Sequence, residues 1–171
     1  ATLDQVDPQA GERLVQAIRQ AERVFVTGKG RSGLQMQAFA MRLMHLGRRV
    51  YVVGEVVTPG IAAGDLLLIG SGSGRTASLV GYARRARELG ARVGLVTADP
   101  GSEIAALADL VLEIPAPTPK SERLQAHTSG QPMGTLFEQS LGLLLDILIL
   151  QIMDADEITS GQMFTRHANL E

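Results

Sequence analysis

The sequence predicts a layered α/β fold built on a parallel sheet. Short apolar strands dominated by Val, Leu and Ile alternate with segments of helical spacing. The strands also lack the polar alternation of a sheet wetted on one face, so they read as buried on both sides. Two of them run directly into glycine-rich turns, VFVTGKGRSG at 24–33 and LLLIGSGSGRT at 66–76.

Taken in order, residues 9–22 have helical spacing, with Leu14, Val15 and Ile18 on one face, and lead into a strand at 24–28. A helix is predicted over 34–47, ending on Gly47 as its C-terminal cap, then a strand at 49–54. The rhythm repeats with a strand at 66–70, a helix at 76–89 closed by Gly90, a strand at 93–97, a short helix at 101–107 and a strand at 110–114. Residues 115–134 hold four prolines and little periodicity, and read as a lid or a linker. From Thr135 to Met153 the chain is one strong helix, and the polar tail beyond it carries two apolar anchors, Met163 and Phe164, which are expected to dock.

A chain of 171 residues suits one domain spanning 1–171. With 45% hydrophobic residues and a formal net charge of −2, it has the composition of a folded soluble protein. Its 16 Lys and Arg are scattered and only 4% of residues are aromatic, which argues against nucleic-acid binding. The absence of cysteine excludes thiol catalysis, disulfides and cysteine-ligated metals, and fits a cytoplasmic location. The opening ATLDQVDPQAGERL does not read as a secretory signal. LGLLLDILILQIM at 141–153 is shorter than the roughly 20 residues of a spanning helix and contains Asp146, so a helix buried in the core or at a subunit interface is expected, with no membrane partner.

In an open parallel sheet, ligands sit beyond the carboxyl ends of the strands, where the following helices present free N–H groups. Glycine lets that backbone approach an anion, and Ser71, Ser73 and Thr76 add hydroxyl donors. A phosphate suits such a pocket. GSGSG has a linker composition too, but a linker between LLLI and a helical segment makes little sense inside one small domain. Neither turn matches the P-loop pattern. GKGRSG has GxGxxG spacing, with Glu55 at about the distance of a ribose-binding acid, which keeps a nucleotide reading open.

For proton transfer the best carboxylate is Glu138, at the start of the apolar helix, where burial would raise its pKa toward the range of a useful base. Acids are also common in first helical turns for electrostatic reasons alone. Of the three histidines, His45 falls mid-helix and reads as structural. His127 in the proline-rich loop and His167 in the tail are each placed to close over a site. No two are spaced as helical metal ligands, so no metal is expected.

GKGRSG, the GSGSGRT turn, VGLVTADPGSEIAALAD and the closing RHANLE together resemble the sugar isomerase (SIS) family, over nearly the whole chain. VVGEVVTPGIAAGDLLLIGSGSGRT and PMGTLFEQSLGLLLDILI look like the branch that isomerises a 3-ketohexose 6-phosphate after formaldehyde fixation. The resemblance implies a three-layer α/β sandwich with a five-stranded parallel sheet flanked by helices. It also implies a homodimer or homotetramer with active sites at subunit interfaces. The implied phosphate site comprises Ser71, Gly72, Ser73 and Thr76, closed by Gly30 and Ser32. Glu138 becomes the enediol base, with His167 or His127 as its proton-transfer partner, and no cofactor is implied. Functional coupling to 3-hexulose-6-phosphate synthase is part of the same expectation. Relatives often carry an acid where this chain has Arg75, which bears on local charge and affinity. The alternatives are isomerisation of arabinose 5-phosphate or sedoheptulose 7-phosphate, and a sugar-phosphate sensor without catalysis.

Overall fold

The computed structural model describes residues 2–117 and 130–170. A 3-10 turn at Leu3–Gln5 precedes α1 (Pro8–Gln20), whose start is fixed locally. The Asp7 carboxylate accepts the N–H of Gln9, and Pro8 occupies the first turn, where its missing donor is not needed. There follow β1 (Val24–Gly28), α2 (Gly30–His45), β2 (Val50–Val52), β3 (Leu66–Gly70), α3 (Ala77–Glu88) and β4 (Arg92–Thr97). The chain continues through α4 (Glu103–Leu107), β5 (Leu110–Glu113), α5 (Thr135–Ala155) and α6 (Ser160–Phe164).

All five strands pair in parallel in the order β2-β1-β3-β4-β5. Successive strand residues supply opposite faces. Val24, Val26, Leu66, Leu68, Val96 and Leu112 pack with α1, α2 and α5. Phe25, Leu67, Ile69, Val93 and Leu95 pack with α3 and α4. The result is the expected three-layer sandwich, with a core on each side of the sheet. In this strand order the connections diverge between β1 and β3, leaving a crevice beyond their carboxyl ends.

Three glycines draw α2 onto that crevice. A Cβ on Gly33 would lie 2.8 Å from the Gly28 carbonyl oxygen, and one on Gly28 would lie 2.9 Å from that of Gly70. Gly30, with φ of 57°, turns the chain into α2 four residues earlier than the periodicity suggests. β2 is also shorter than expected, three half-buried residues at the sheet edge.

At 21 residues, with a mean hydropathy of 1.6 in its most apolar window, α5 is long and apolar enough to cross a membrane, so the length argument made from 141–153 does not hold. Its packing decides instead: Phe137, Leu141, Leu144, Leu145, Leu148 and Ile152 are buried in the core. The far end of α5 is tied down where Asp156 takes Arg19 Nε at 2.7 Å and also pairs with Arg48. The tail docks through Met163, which packs on the core, whereas Phe164 is 75% exposed and does not serve as the second anchor within this chain. Most of the lid or linker expected at 115–134, and His127 with it, lies outside the described residues.

Candidate functional site

The GSGSG turn leaves β3 and is pinned from behind. Ser71 N–H donates to the Val96 carbonyl at 3.0 Å and Ala98 N–H to that of Gly72 at 3.1 Å. Ile104 N–H reaches the Gly74 carbonyl at 3.0 Å. Gly74 has φ of 59°, and a Cβ there would overlap Ser102 Oγ at 2.0 Å, so this position requires glycine. Those bonds give the turn one shape, which is not how a linker behaves.

Ser71 Oγ accepts the Gly74 N–H at 3.1 Å, and Ser73 Oγ accepts that of Arg75 at 3.4 Å. Accepting uses a lone pair and leaves each hydroxyl proton to be donated elsewhere. Thr76 is the N-cap of α3, yet its side chain makes no capping bond, and the first N–H groups of a helix have no intrahelical partner. Hydroxyls and helix N–H groups thus converge at the positive end of α3's dipole.

These groups line a cavity of about 400 Å³ at the crevice between β1 and β3. Ser32, Ser71, Gly72, Ser73, Thr76 and Glu138, all singled out from sequence, border it together. Gly30 does not border it and acts instead through the backbone turn described above. Glu138, in the first turn of α5, is 19% exposed, and Arg31 Nε donates to its Oε2 at 2.5 Å. Lys29 lines the cavity as well, its Nζ 5.7 Å from the Tyr82 ring centroid. Sequence reasoning missed both cations as site residues. Their signal was the basic pair inside GKGRSG, since a turn leaving a buried parallel strand presents its side chains to the crevice. Arg75 is absent from the lining: Asp99 holds its Nη2 at 2.9 Å, so its charge is matched outside the cavity.

His167 lies elsewhere. It borders a second cavity of about 410 Å³ with Arg42, His45, Asp146, Ile149 and Met153. Ile149 is eleven residues beyond Glu138 on α5, roughly 16 Å of helical rise. Within one chain, then, Glu138 and His167 serve different cavities. His45 is 3% exposed, and burial, followed by the Arg42 and His167 charges, holds its imidazole below the ordinary histidine pKa.

A doubly wound α/β domain with an anion-ready cavity at its switch point is the class that fold and site define. The SIS domain family matches residues 17–141, and the chain belongs to that family. It is 43% identical over 166 residues to a 3-hexulose-6-phosphate isomerase of Bacillus subtilis, covering 97% of this chain and 89% of the relative. It is 45% identical over 170 residues to a protein of the same name from Mycobacterium gastri, covering 99% and 84%. A crystal structure from Methanococcus jannaschii, described as inferring a 3-hexulose-6-phosphate isomerase function, superposes with a TM-score of 0.84 at 35% identity, covering 96% of this chain and 87% of that one.

Proposed function

We propose that this chain interconverts D-arabino-hex-3-ulose 6-phosphate and D-fructose 6-phosphate, the 6-phospho-3-hexuloisomerase reaction of the ribulose monophosphate route. The observation that carries this reading is the meeting of a carboxylate, Glu138, with the hydroxyl turn Ser71–Ser73–Thr76 in one cavity. The near full-length relatives of the same name select the substrate among sugar phosphates.

In this reading the phosphate sits among Ser71, Ser73, Thr76 and the N–H groups of α3, with Ser32 opposite. Remote binding of that kind orients the reacting carbons against the base. The 3-keto sugar cannot close a five-membered ring through O6, which carries the phosphate, so it enters open-chained. Glu138 takes the proton from C2, the C–H electrons form the C2–C3 double bond, and the C3 carbonyl pair moves onto oxygen. A proton then passes from O2 to O3, Glu138 returns its proton to C3, and the ketone stands at C2. Arg31 and Lys29 supply positive charge to the enediolate. The sugar undergoes no net oxidation, so the chemistry calls for no redox cofactor.

His167 is the proposed carrier of the oxygen-to-oxygen proton, contributed by a second copy of the chain. Leu143, Ile147 and Leu150 form an exposed apolar stripe along α5, 58%, 41% and 62% exposed, and two-fold packing through it with the two α5 helices antiparallel would bring one protomer's His167 cavity toward its partner's Glu138. We assign the working enzyme to a cytoplasmic homo-oligomer, fed by 3-hexulose-6-phosphate synthase.

The test is a coupled assay in which the synthase forms the 3-hexulose 6-phosphate in place from ribulose 5-phosphate and formaldehyde, and fructose 6-phosphate is read enzymatically. Flux that depends on this protein is expected. No flux, with synthase and detection enzymes shown active, would overturn the reading.

A further inference from the structure

His45 is buried beside a residue of the proposed chemistry without touching the substrate cavity. It ends α2, its ring centroid 5.5 Å from that of His167 with planes 23° apart. Phe164 stacks on His167 as well, at 5.6 Å and 24°. Arg166 grips the same turn of α2: its Nη1 donates to the His45 carbonyl at 3.2 Å, and its guanidinium lies so close over Gly47 that a Cβ there would come within 3.2 Å. Two consecutive tail residues thus hold one helix end through two different contacts.

A guanidinium only donates, so the 3.4 Å approach of Arg42 Nη1 to His45 Nδ1 meets an unprotonated nitrogen and leaves the ring hydrogen on Nε2. A neutral ring stacked there holds an imidazole without repelling it when that imidazole takes up a proton. His167 Nδ1 also lies 3.0 Å from the Ala168 carbonyl oxygen, and each added contact narrows the rotamers of a tail histidine, every unproductive one of which costs rate.

We propose that His45 is the positioning residue for His167, presenting that imidazole in one orientation at the mouth of the second cavity. The proposal rests on the reading in which His167 moves protons. Among the described residues, charged groups near the pair include Arg42 on α2, Asp146 on α5 and Arg166 on the tail.

The test compares His45→Leu, His45→Phe, Arg166→Met, His167→Asn and the His45→Leu/His167→Asn double variant of the full chain. It measures kcat and KM in the coupled assay and the His167 ring-proton resonances by NMR. His45→Leu should lower kcat by about tenfold to a hundredfold with KM within about twofold, and should shift the His167 resonances. His45→Phe, which keeps an aromatic face, should recover most of the rate. Arg166→Met, which leaves the core intact, should reproduce the kcat loss. The double variant should be no slower than His167→Asn. Losses that multiply in the double variant, or His167 resonances unmoved in His45→Leu, would overturn the proposal. Full activity in His167→Asn would instead remove the proton-transfer role from His167, and the resonances would still decide whether His45 fixes its ring.

Discussion

Replacing Glu138 by Gln separates the chemistry of the site from the stability of the fold. The substitution keeps shape and length and removes only the charge and the basic oxygen. A positioned general base contributes on the order of a hundredfold to ten-thousandfold, so the barrier should rise by about 2.7–5.4 kcal/mol. Stability should scarcely change. The Arg31 partner is 60% exposed and Glu138 19%, a pairing worth about 0–1 kcal/mol once solvent screening is allowed for. In a chain of this size that corresponds to a melting shift below about 4 °C. Turnover is read in the coupled assay. In the reverse direction, NMR follows entry of solvent deuterium at C3 of fructose 6-phosphate, the position that a 2,3-enediol exchanges. Wild-type protein should label C3, and Glu138→Gln should bind fructose 6-phosphate without labelling it. Turnover within tenfold of wild type, or labelling at C1 in place of C3, would refute the assignment.

Thr76→Val removes a hydroxyl that caps nothing, so KM should rise about tenfold or more, from the loss of a bond to a charged group, while the melting temperature stays put. Gly33→Ala should destabilise more than Gly70→Ala when both are melted in parallel. The new methyl at 33 meets Gly28 backbone at 2.8 Å, which has no side chain to move aside, whereas at 70 it meets Met36 Sδ at 2.7 Å. Overpacking of this kind costs about 1–3 kcal/mol. Ile147→Lys puts a charge in the middle of the apolar stripe on α5 and should shift sedimentation toward monomer, with loss of activity if the site is shared; an unchanged oligomer would reject that interface.

Most of the architecture was legible because the strands are buried on both faces. Val24–Gly28 and Leu66–Gly70 were delimited by their own composition, since each opens on a run of apolar residues and ends on glycine, with Thr27 the one polar residue between them and itself buried. Edge and boundary features were less visible. β2 packs little, so its residues resemble a longer strand than the sheet pairs. The start of α2 is set by φ of 57° at Gly30 and by the backbone approach of Gly33 to Gly28, neither of which leaves a periodic signature. Phe164 reads as an anchor by type, yet it is largely exposed, because apolarity specifies that a side chain seeks cover and not which chain provides it.

The site divides along the same line. Ser71, Ser73 and Thr76 could be found from sequence because they share one turn with the glycines that shape it. Lys29 and Arg31 were harder to assign despite their place in the GKGRSG turn, because a cation in a turn reads as a solvated charge until an acid more than a hundred residues away is brought against it, as Glu138 is against Arg31. Arg75 shows the converse. Its charge sits one residue before Thr76 in sequence, yet Asp99 takes it outside the cavity. A charge within a turn therefore need not reach the cavity beside it: what matters is where the side chain leaves the turn. Here the turn's backbone is fixed by β4 and α4, so the hydroxyls and N–H groups keep their positions while the arginine is held by its own partner.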